Sequence, residues 1–399
     1  MDASQNIESA AASSVDDVVR WLTNDTREER FIDNIFAELC IRLRRAGIPV
    51  KRGTLHFLIQ HPQWMGARML WVDGMHEAEI DLVDYEVRER STYIGSPGNE
   101  ITDGVTEIRE KLEGDRSQGR KHAIYDELRA QGLTDYVAWP LYHTLGKRHF
   151  LTFSSDRSGG FDDAHIAALK QVLPVLALVS EIRVKNRMAR TLLETYVGAH
   201  AGDLILAGAT RRGSGTTVRA AILICDLRDF TGISDNWPRD DVIDLLNDYF
   251  DAMSEPIVRR GGEILKFMGD GLLAIFPLGE PQACENLLHA VTEARHAIDA
   301  LNERDKGTGR APLNYGVGVH VGDVMYGNIG SRSRLDFTVI GPAVNMASRL
   351  ETLTKQTGRK VLLSREFADL VANDFKLERV GEYPVRGFKD PIELFAYHG

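Results

Sequence analysis

Two short strand patterns, 263–267 and 272–276, flank the tetrapeptide Met268-Gly269-Asp270-Gly271. Strands joined by so tight a turn pair antiparallel, because a parallel pair needs a crossover of about a dozen residues or more. This hairpin fixes the frame around it. An apolar strand over 220–225, closed by Asp226, precedes it, and a helical pattern over about 240–259 joins the two. Residues 282–304 read as a long helix, 313–321 as a strand, and 324–329 as a second hairpin strand. The order β-α-β-β-α-β is that of the ferredoxin-like motif. A helix over 343–354 and strands near the C-terminus extend it. The fold class is α+β.

Upstream the pattern changes. Residues 31–162 hold a helix (Ile32, Ile35, Phe36, Leu39, Leu43), strands at 54–60 and 68–72, a short helix stopped by Gly132, and strands at 136–142 and 149–154. That is a second α+β module. Residues 1–30 read as a leader whose first half is small and polar. Ile166, Leu169, Leu173, Leu176 and Val179 recur at three- and four-residue intervals. Placed between two modules, they predict a parallel two-helix seam inside a helical linker over 163–217, in preference to the alternative of a helix packed on its own domain. Arg211-Arg212-Gly213-Ser214-Gly215 predicts an exposed hinge before a last domain over 218–399.

Composition excludes several classes. With 43% hydrophobic and 27% charged residues the chain is neither disordered nor fibrous. A net charge of −10 argues against nucleic acid or an anionic membrane as partner. The longest apolar stretch, 172–179, contains Pro174 and falls short of the ~20 residues of a membrane span. No secretory leader opens the chain, so a cytoplasmic location is expected. Cys40, Cys225 and Cys284 are too scattered for a disulfide framework or a zinc site.

In a β-α-β-β order the end of the first strand and the following hairpin are neighbours, so Asp226 and Asp270 converge at one sheet edge. Two carboxylates with open positions for phosphate and water suit Mg²⁺. Taken singly, each reads as a strand end or a turn residue. Residues 227–232 lead into a helix that Thr231 or Ser234 would cap, where free N–H groups suit a phosphate chain. Asn345 and Arg349, four apart, share one helix face. Facing a cleft, they suit an anionic transition state; alone, they read as a solvated pair.

Together these pieces are far more specific. Ile224-Cys225-Asp226-Leu227-Arg228-Asp229-Phe230-Thr231 resembles the opening metal motif of class III nucleotidyl cyclases. Leu265-Lys266-Phe267-Met268-Gly269-Asp270-Gly271, Asp336-Phe337-Thr338-Val339-Ile340-Gly341 and Val344-Asn345-Met346-Ala347-Ser348-Arg349 resemble its later motifs, in the family's order and spacing. Residues 192–198 with Arg211-Arg212-Gly213 look like the lead-in of bacterial members.

The resemblance implies roles. Asp226 and Asp270, with Leu227 beside them, match the metal site, which in this family takes two Mg²⁺ or Mn²⁺ ions. Lys266 and Thr338 match the pair that reads the purine. Phe230 and Thr231 lie in the phosphate-facing turn. Asn345 matches the residue that places the ribose, and Arg349 the one that stabilises phosphoryl charge. Arg386 and Lys389 resemble a basic motif on the terminal phosphates. Two departures stand out: Asp229 where the family often has Gly, and Thr338 where many members have Asp, which puts the chain with the Thr-bearing subset. Lys266 has only donors and the Thr338 hydroxyl accepts, which suits adenine N1 and N6 and disfavours guanine. The implied enzyme is a homodimeric adenylate cyclase acting on ATP, the alternatives being a guanylate cyclase or a non-catalytic nucleotide-binding regulator. Residues 31–162 resemble a GAF-type sensory domain, a pocket for a small-molecule effector, with His56, His61, Trp64, His76 and His143 as candidate handles.

Overall fold

In the computed structural model Ser14 caps the first helix, α1 (Val15–Asn24): its hydroxyl accepts from the Asp17 N–H and the Asp17 carboxylate accepts from the Ser14 N–H. Val18 and Leu22 of α1 are buried in the core, so the leader expected over 1–30 contains a packed helix. Described are residues 14–58, 64–86, 94–114, 122–308, 310, 312–371, 373–385 and 390–399. The chain divides into two units, Met1–Leu192 and Leu193–Gly399.

In the first unit follow α2 (Ile32–Arg45), β1 (Arg52–Leu58), β2 (Gly66–Val72), β3 (Glu79–Val83), α3 (Pro97–Asp103), β4 (Ile108–Lys111), α4 (Ile124–Ala130), β5 (Asp135–Tyr142), β6 (Arg148–Ser155) and α5 (Asp163–Val197). β3, α3 and β4 escaped the sequence reading, being short and weakly patterned. The six strands pair antiparallel in the order β3-β2-β1-β6-β5-β4. Alternation along the strands sends Leu55, Phe57, Val137, Trp139, Leu151 and Phe153 to one face, where they form a common core with α2 and α5.

That core corrects the expected helical seam. Ile166, Leu169, Leu176 and Val179 are buried within the first unit, and Leu173 packs against the same cluster. The three- and four-residue spacing was that of a helix lying on its own sheet. By length and composition α5 also meets the requirement for a membrane-crossing helix, although these apolar residues cover the sheet.

The second unit begins before residue 218. α6 (Ala199–Leu206) buries Ala201, and His200 stacks on Tyr326 with ring centroids 5.8 Å apart. The expected hinge at 211–215 is an exposed turn tied down by Asn328, whose carbonyl accepts from the Gly213 N–H at 2.9 Å. Then come β7 (Gly215–Leu227), α7 (Phe230–Asn236), α8 (Arg239–Arg259), β8 (Glu263–Met268), β9 (Gly271–Pro277), α9 (Ala283–Arg304), β10 (Tyr315–Gly330), β11 (Leu335–Ile340), α10 (Pro342–Thr357), β12 (Val361–Ser364), α11 (Arg365–Val371), β13 (Leu377–Tyr383) and β14 (Ile392–Tyr397). The sheet runs β13-β14-β12-β10-β7-β9-β8, with β11 paired to β10. Its segment β10-β7-β9-β8 realises the expected β-α-β-β-α-β order. α8 and α9 cover one face; α10 and β11 cover the other.

One local expectation fails here. No turn divides 313–321 from 324–329: β10 continues through Gly322-Asp323, paired with β7 from Tyr315↔Leu227 to Gly327↔Gly215. Gly322 serves packing. A Cβ there would lie 2.7 Å from Ala343 Cβ of α10. At Gly318 a Cβ would overlap the main chain of Ala347 and Glu351. Bare backbone on this face of β10 lets α10 rest directly on the strand.

Gly318→Ala should therefore destabilise the second unit by about 3 kcal/mol. Gly232→Ala, in α7 with open space around its Cβ, should be neutral or stabilising. Chemical denaturation of both variants checks this, and equal effects would refute the close seat of α10.

Candidate active site

Asp226 follows the buried run 220–225 of β7 and lies opposite Gly271. A Cβ at Gly271 would be 2.7 Å from the Cys225 carbonyl oxygen and 3.1 Å from Asp226 Oδ1. Glycine is what lets the hairpin close on the carboxylate. The Leu227 N–H donates to the Asp270 carbonyl oxygen at 3.3 Å, locking strand end to turn. The Asp226 carboxyl is pushed up to about 6, by burial first, then by the charge of Asp270 and that of Glu351; Lys355 opposes the rise. Unrelieved like charge of this kind is what a divalent cation removes.

The donor set fits such an ion. Asp226 and Asp270 offer hard carboxylate oxygens, and Leu227, 2% exposed with its side chain in the core, can add only main-chain oxygen. Among the described residues no cluster of three or more His, Cys, Asp or Glu surrounds a metal position. Two carboxylates and one main-chain oxygen leave positions on a bound ion for phosphate and water.

Behind the carboxylates, Arg228 pairs with Glu351 of α10 at 2.8 Å, with 13% and 9% of the two side chains exposed. Arg228 also donates to the Thr354 hydroxyl and to the Glu351 carbonyl oxygen. These bonds tie the end of β7 to α10. Asp229 comes next with φ 59°, ψ 21°, the left-handed region that favours glycine and that Asp tolerates better than most residues. That conformation explains why Gly suits this position, and the exposed Asp229 side chain leaves a negative charge beside the turn. Phe230 packs its ring against the core, so only its backbone is available to a ligand. Thr231 is exposed.

Lys266 on β8 and Asp336 on β11 meet through Nζ–Oδ2 at 2.7 Å, and the ammonium holds the Asp336 carboxyl below its usual range. Thr338, two residues on in the same strand, projects from the face that carries Asp336, while Phe337 and Val339 are buried beneath. Asn345 and Arg349 follow on α10, exposed and half-buried respectively, with Ala343, Ala347 and Leu350 turned inward. Thus three groupings form: Asp226 with Asp270, Lys266 with the Thr338 strand, and Asn345 with Arg349. Arg386 and Lys389 lie outside the described residues.

Sequence reading missed Asp336, Arg228 and Glu351. Strand alternation could have found Asp336, two residues before Thr338. No local signal links Arg228 to Glu351, 123 positions away.

Residues 214–399 match the family model described as the adenylate and guanylate cyclase catalytic domain. An adenylate cyclase of Anabaena cylindrica is 40% identical over 156 residues, 38% of this chain and 30% of that protein. Adenylate cyclase 1 of Rhizobium meliloti is 24% identical over 269 residues, 66% of this chain and 40% of its own length. The chain thus spans well under half of these curated relatives. The crystal structure of the adenylyl cyclase CyaB from P. aeruginosa aligns with 47% of this chain and 96% of its own, at 28% identity and a TM-score of 0.43. Motif, ferredoxin-like sheet and family match coincide in one segment: residues 214–399 are a catalytic domain of the adenylate and guanylate cyclase family.

Proposed function

We propose that the chain is an adenylate cyclase that converts ATP to 3′,5′-cyclic AMP and pyrophosphate at sites shared by two copies of the chain. The observation that carries this reading is the Lys266–Asp336 pair beside Thr338. Adenine offers an acceptor at N1 and a donor at N6. The Lys266 ammonium can only donate and the Thr338 hydroxyl can accept. Guanine presents the reverse pattern. Asp336 supplies the counter-charge that Thr338 lacks and holds the Lys266 ammonium in place.

Mg²⁺ or Mn²⁺, held by Asp226, Asp270 and the Leu227 main chain, would acidify the ribose 3′-hydroxyl and grip the phosphates. The chain's own groups do the positioning. Asn345 places the ribose so that the 3′-oxygen lies in line with the α-phosphorus. Arg349 donates to the phosphoryl oxygens as charge builds there. The N–H groups of Phe230 and Thr231, with Arg386 or Lys389, hold the β- and γ-phosphates. A bond forms between the 3′-oxygen and the α-phosphorus, the α–β bridging bond breaks, and the hydroxyl proton passes to water. We read the first unit as a GAF-like sensory domain acting through α5, the continuous helix that leads out of it.

Cyclic product from ATP rather than GTP, measured with purified protein and Mg²⁺ or Mn²⁺, tests the assignment. GTP preference would make it a guanylate cyclase, and no product from either nucleotide would make it a regulator. Asp336→Asn should raise KM for ATP and narrow the ATP/GTP preference about tenfold, with Asp336→Glu retaining most of both.

Asp226→Asn should abolish turnover yet stabilise the metal-free protein. A carboxyl whose folded pKa lies above its unfolded value weakens the fold as pH rises through that window. Removing the charge should therefore gain on the order of 1 kcal/mol near pH 7.5 after solvent screening. Mn²⁺ should raise the unfolding midpoint of wild type and leave the variant unmoved. A variant that melts earlier without metal would contradict the origin given for the raised pKa.

Mixing inactive Asp226→Ala with inactive Arg349→Ala should restore activity, because a mixed dimer keeps one complete site. Failure despite demonstrated subunit exchange would place each site within one chain.

A further inference from the structure

The sheet of the first unit has a second face, opposite Leu55 and Phe57. Across it the register aligns Asp81, Arg68, His56 and Phe150, with Thr54 beside Thr152 one pair further along. Over this face lies a cavity of about 540 Å³, closed on its far side by Ser96, Gly98 and Ile124. Of the candidate handles, His56 lines it; His143 instead bonds Ser180 at 2.9 Å within the core, His76 is exposed, and His61 lies outside the described residues.

The floor is a polar chain. Thr54 and Thr152 hydroxyls are 2.6 Å apart, and His56 Nε2 lies 2.9 Å from Thr54 Oγ1. The His56 ring stacks on Phe150 with centroids 4.0 Å apart. Two guanidiniums reach the cavity. Arg68 is matched by Asp81, with Nε–Oδ2 at 3.0 Å. Arg52 has no carboxylate within ion-pair distance among the described residues, although it is half-buried. Asp84, also in the lining, has a partner of its own. Burial and the neighbouring Arg68 both push the Arg52 guanidinium down. His56 is pushed down to about 3 by burial, then by Arg68 and Arg52. Both guanidiniums thus act on the cavity, against the carboxylates of Asp81 and Asp84 in its lining, and Arg52 is the one with no carboxylate at ion-pair distance among the described residues. A desolvated guanidinium is unfavourable until an anion meets it, and a planar donor fork matches carboxylate or phosphate oxygens.

We infer that this cavity binds a small organic oxyanion, a carboxylate or a phosphate ester, with Arg52 as its anchoring cation and the Thr54–Thr152 hydroxyl pair as its neutral partner. The site names the chemistry of the effector proposed above. Its test reads anion binding at this cavity and not turnover, so its failure is separable from failure of the catalytic reading.

Thermal unfolding of the full chain is followed in sodium chloride, sodium phosphate and sodium succinate at equal ionic strength and pH 7.5. Phosphate or succinate should raise the wild-type midpoint by about 3 °C or more above chloride. A shift with one anion alone assigns a phosphate ester or a carboxylate. Arg52→Gln should lose the shift and, in chloride, melt no earlier than wild type, since it removes an unpaired cation. Should Arg52→Gln fail to fold, titration calorimetry with the same anions on Arg52→Lys decides. The dissociation constant should weaken about fivefold with loss of the bidentate fork. No shift with either anion, an equal shift in Arg52→Gln, or an unchanged constant in Arg52→Lys would overturn the assignment.

Discussion

The catalytic unit depends on the contact of α10 with bare backbone on β10. Gly318 and Gly322 leave no side chain between strand and helix, so α10 sits closer than an ordinary helix–sheet layer allows. That closeness brings Glu351 within reach of both Arg228 and Asp226. The same helix carries Asn345 and Arg349. One seating therefore sets the helix that bears Asn345 and Arg349 and the electrostatics around Asp226. A shift of even 1 Å would be felt at both, which is the scale on which reacting groups lose alignment.

Arg228 shows how this arrangement is held. Its guanidinium neutralises Glu351, which burial holds above the usual carboxylate range, and its other contacts reach Thr354 and the Glu351 carbonyl oxygen. Removing one partner of such a pair leaves a buried charge alone. Among the described residues Asp226 has no ion-pair partner of this kind; Lys355 acts on it only as a nearby charge. The chain spends its cation on the supporting carboxylate and leaves the functional ones exposed to each other. That division suits a site whose counter-charge arrives with the nucleotide.

Much of the second unit was readable from sequence because its signals are local. The Gly-Asp-Gly turn, the strand ending at Asp226 and the Asn345–Arg349 spacing each specify geometry over a few residues. The reading failed where local pattern admits two structures. Gly322-Asp323 looks like a turn, yet the glycine there makes room for a helix twenty residues later. The Ile166–Val179 repeat fits a two-helix seam and a helix on a sheet equally well. Long-range burial in the first unit decided it, and no spacing rule contains that information. Val18 and Leu22 were passed over for a related reason, since a short helix after a polar start gains its core contacts only from residues far along the chain.

The two units hold opposite versions of one electrostatic state. In the second, burial first and the charge of Asp270 next hold the Asp226 carboxyl high. In the first, Arg52 lines a polar cavity with no carboxylate at ion-pair distance among the described residues, and His56 beside it is held neutral. Folding tolerates both because each is only partly buried, where water still screens the charge. Each would be relieved by a ligand of the opposite sign, and relief of this kind appears as added stability of the bound unit. On the proposed reading of the first unit as a sensor, its ligand would act through α5, which that unit packs along one face, and it could shift that helix only by the difference in its affinity for the two states of the unit.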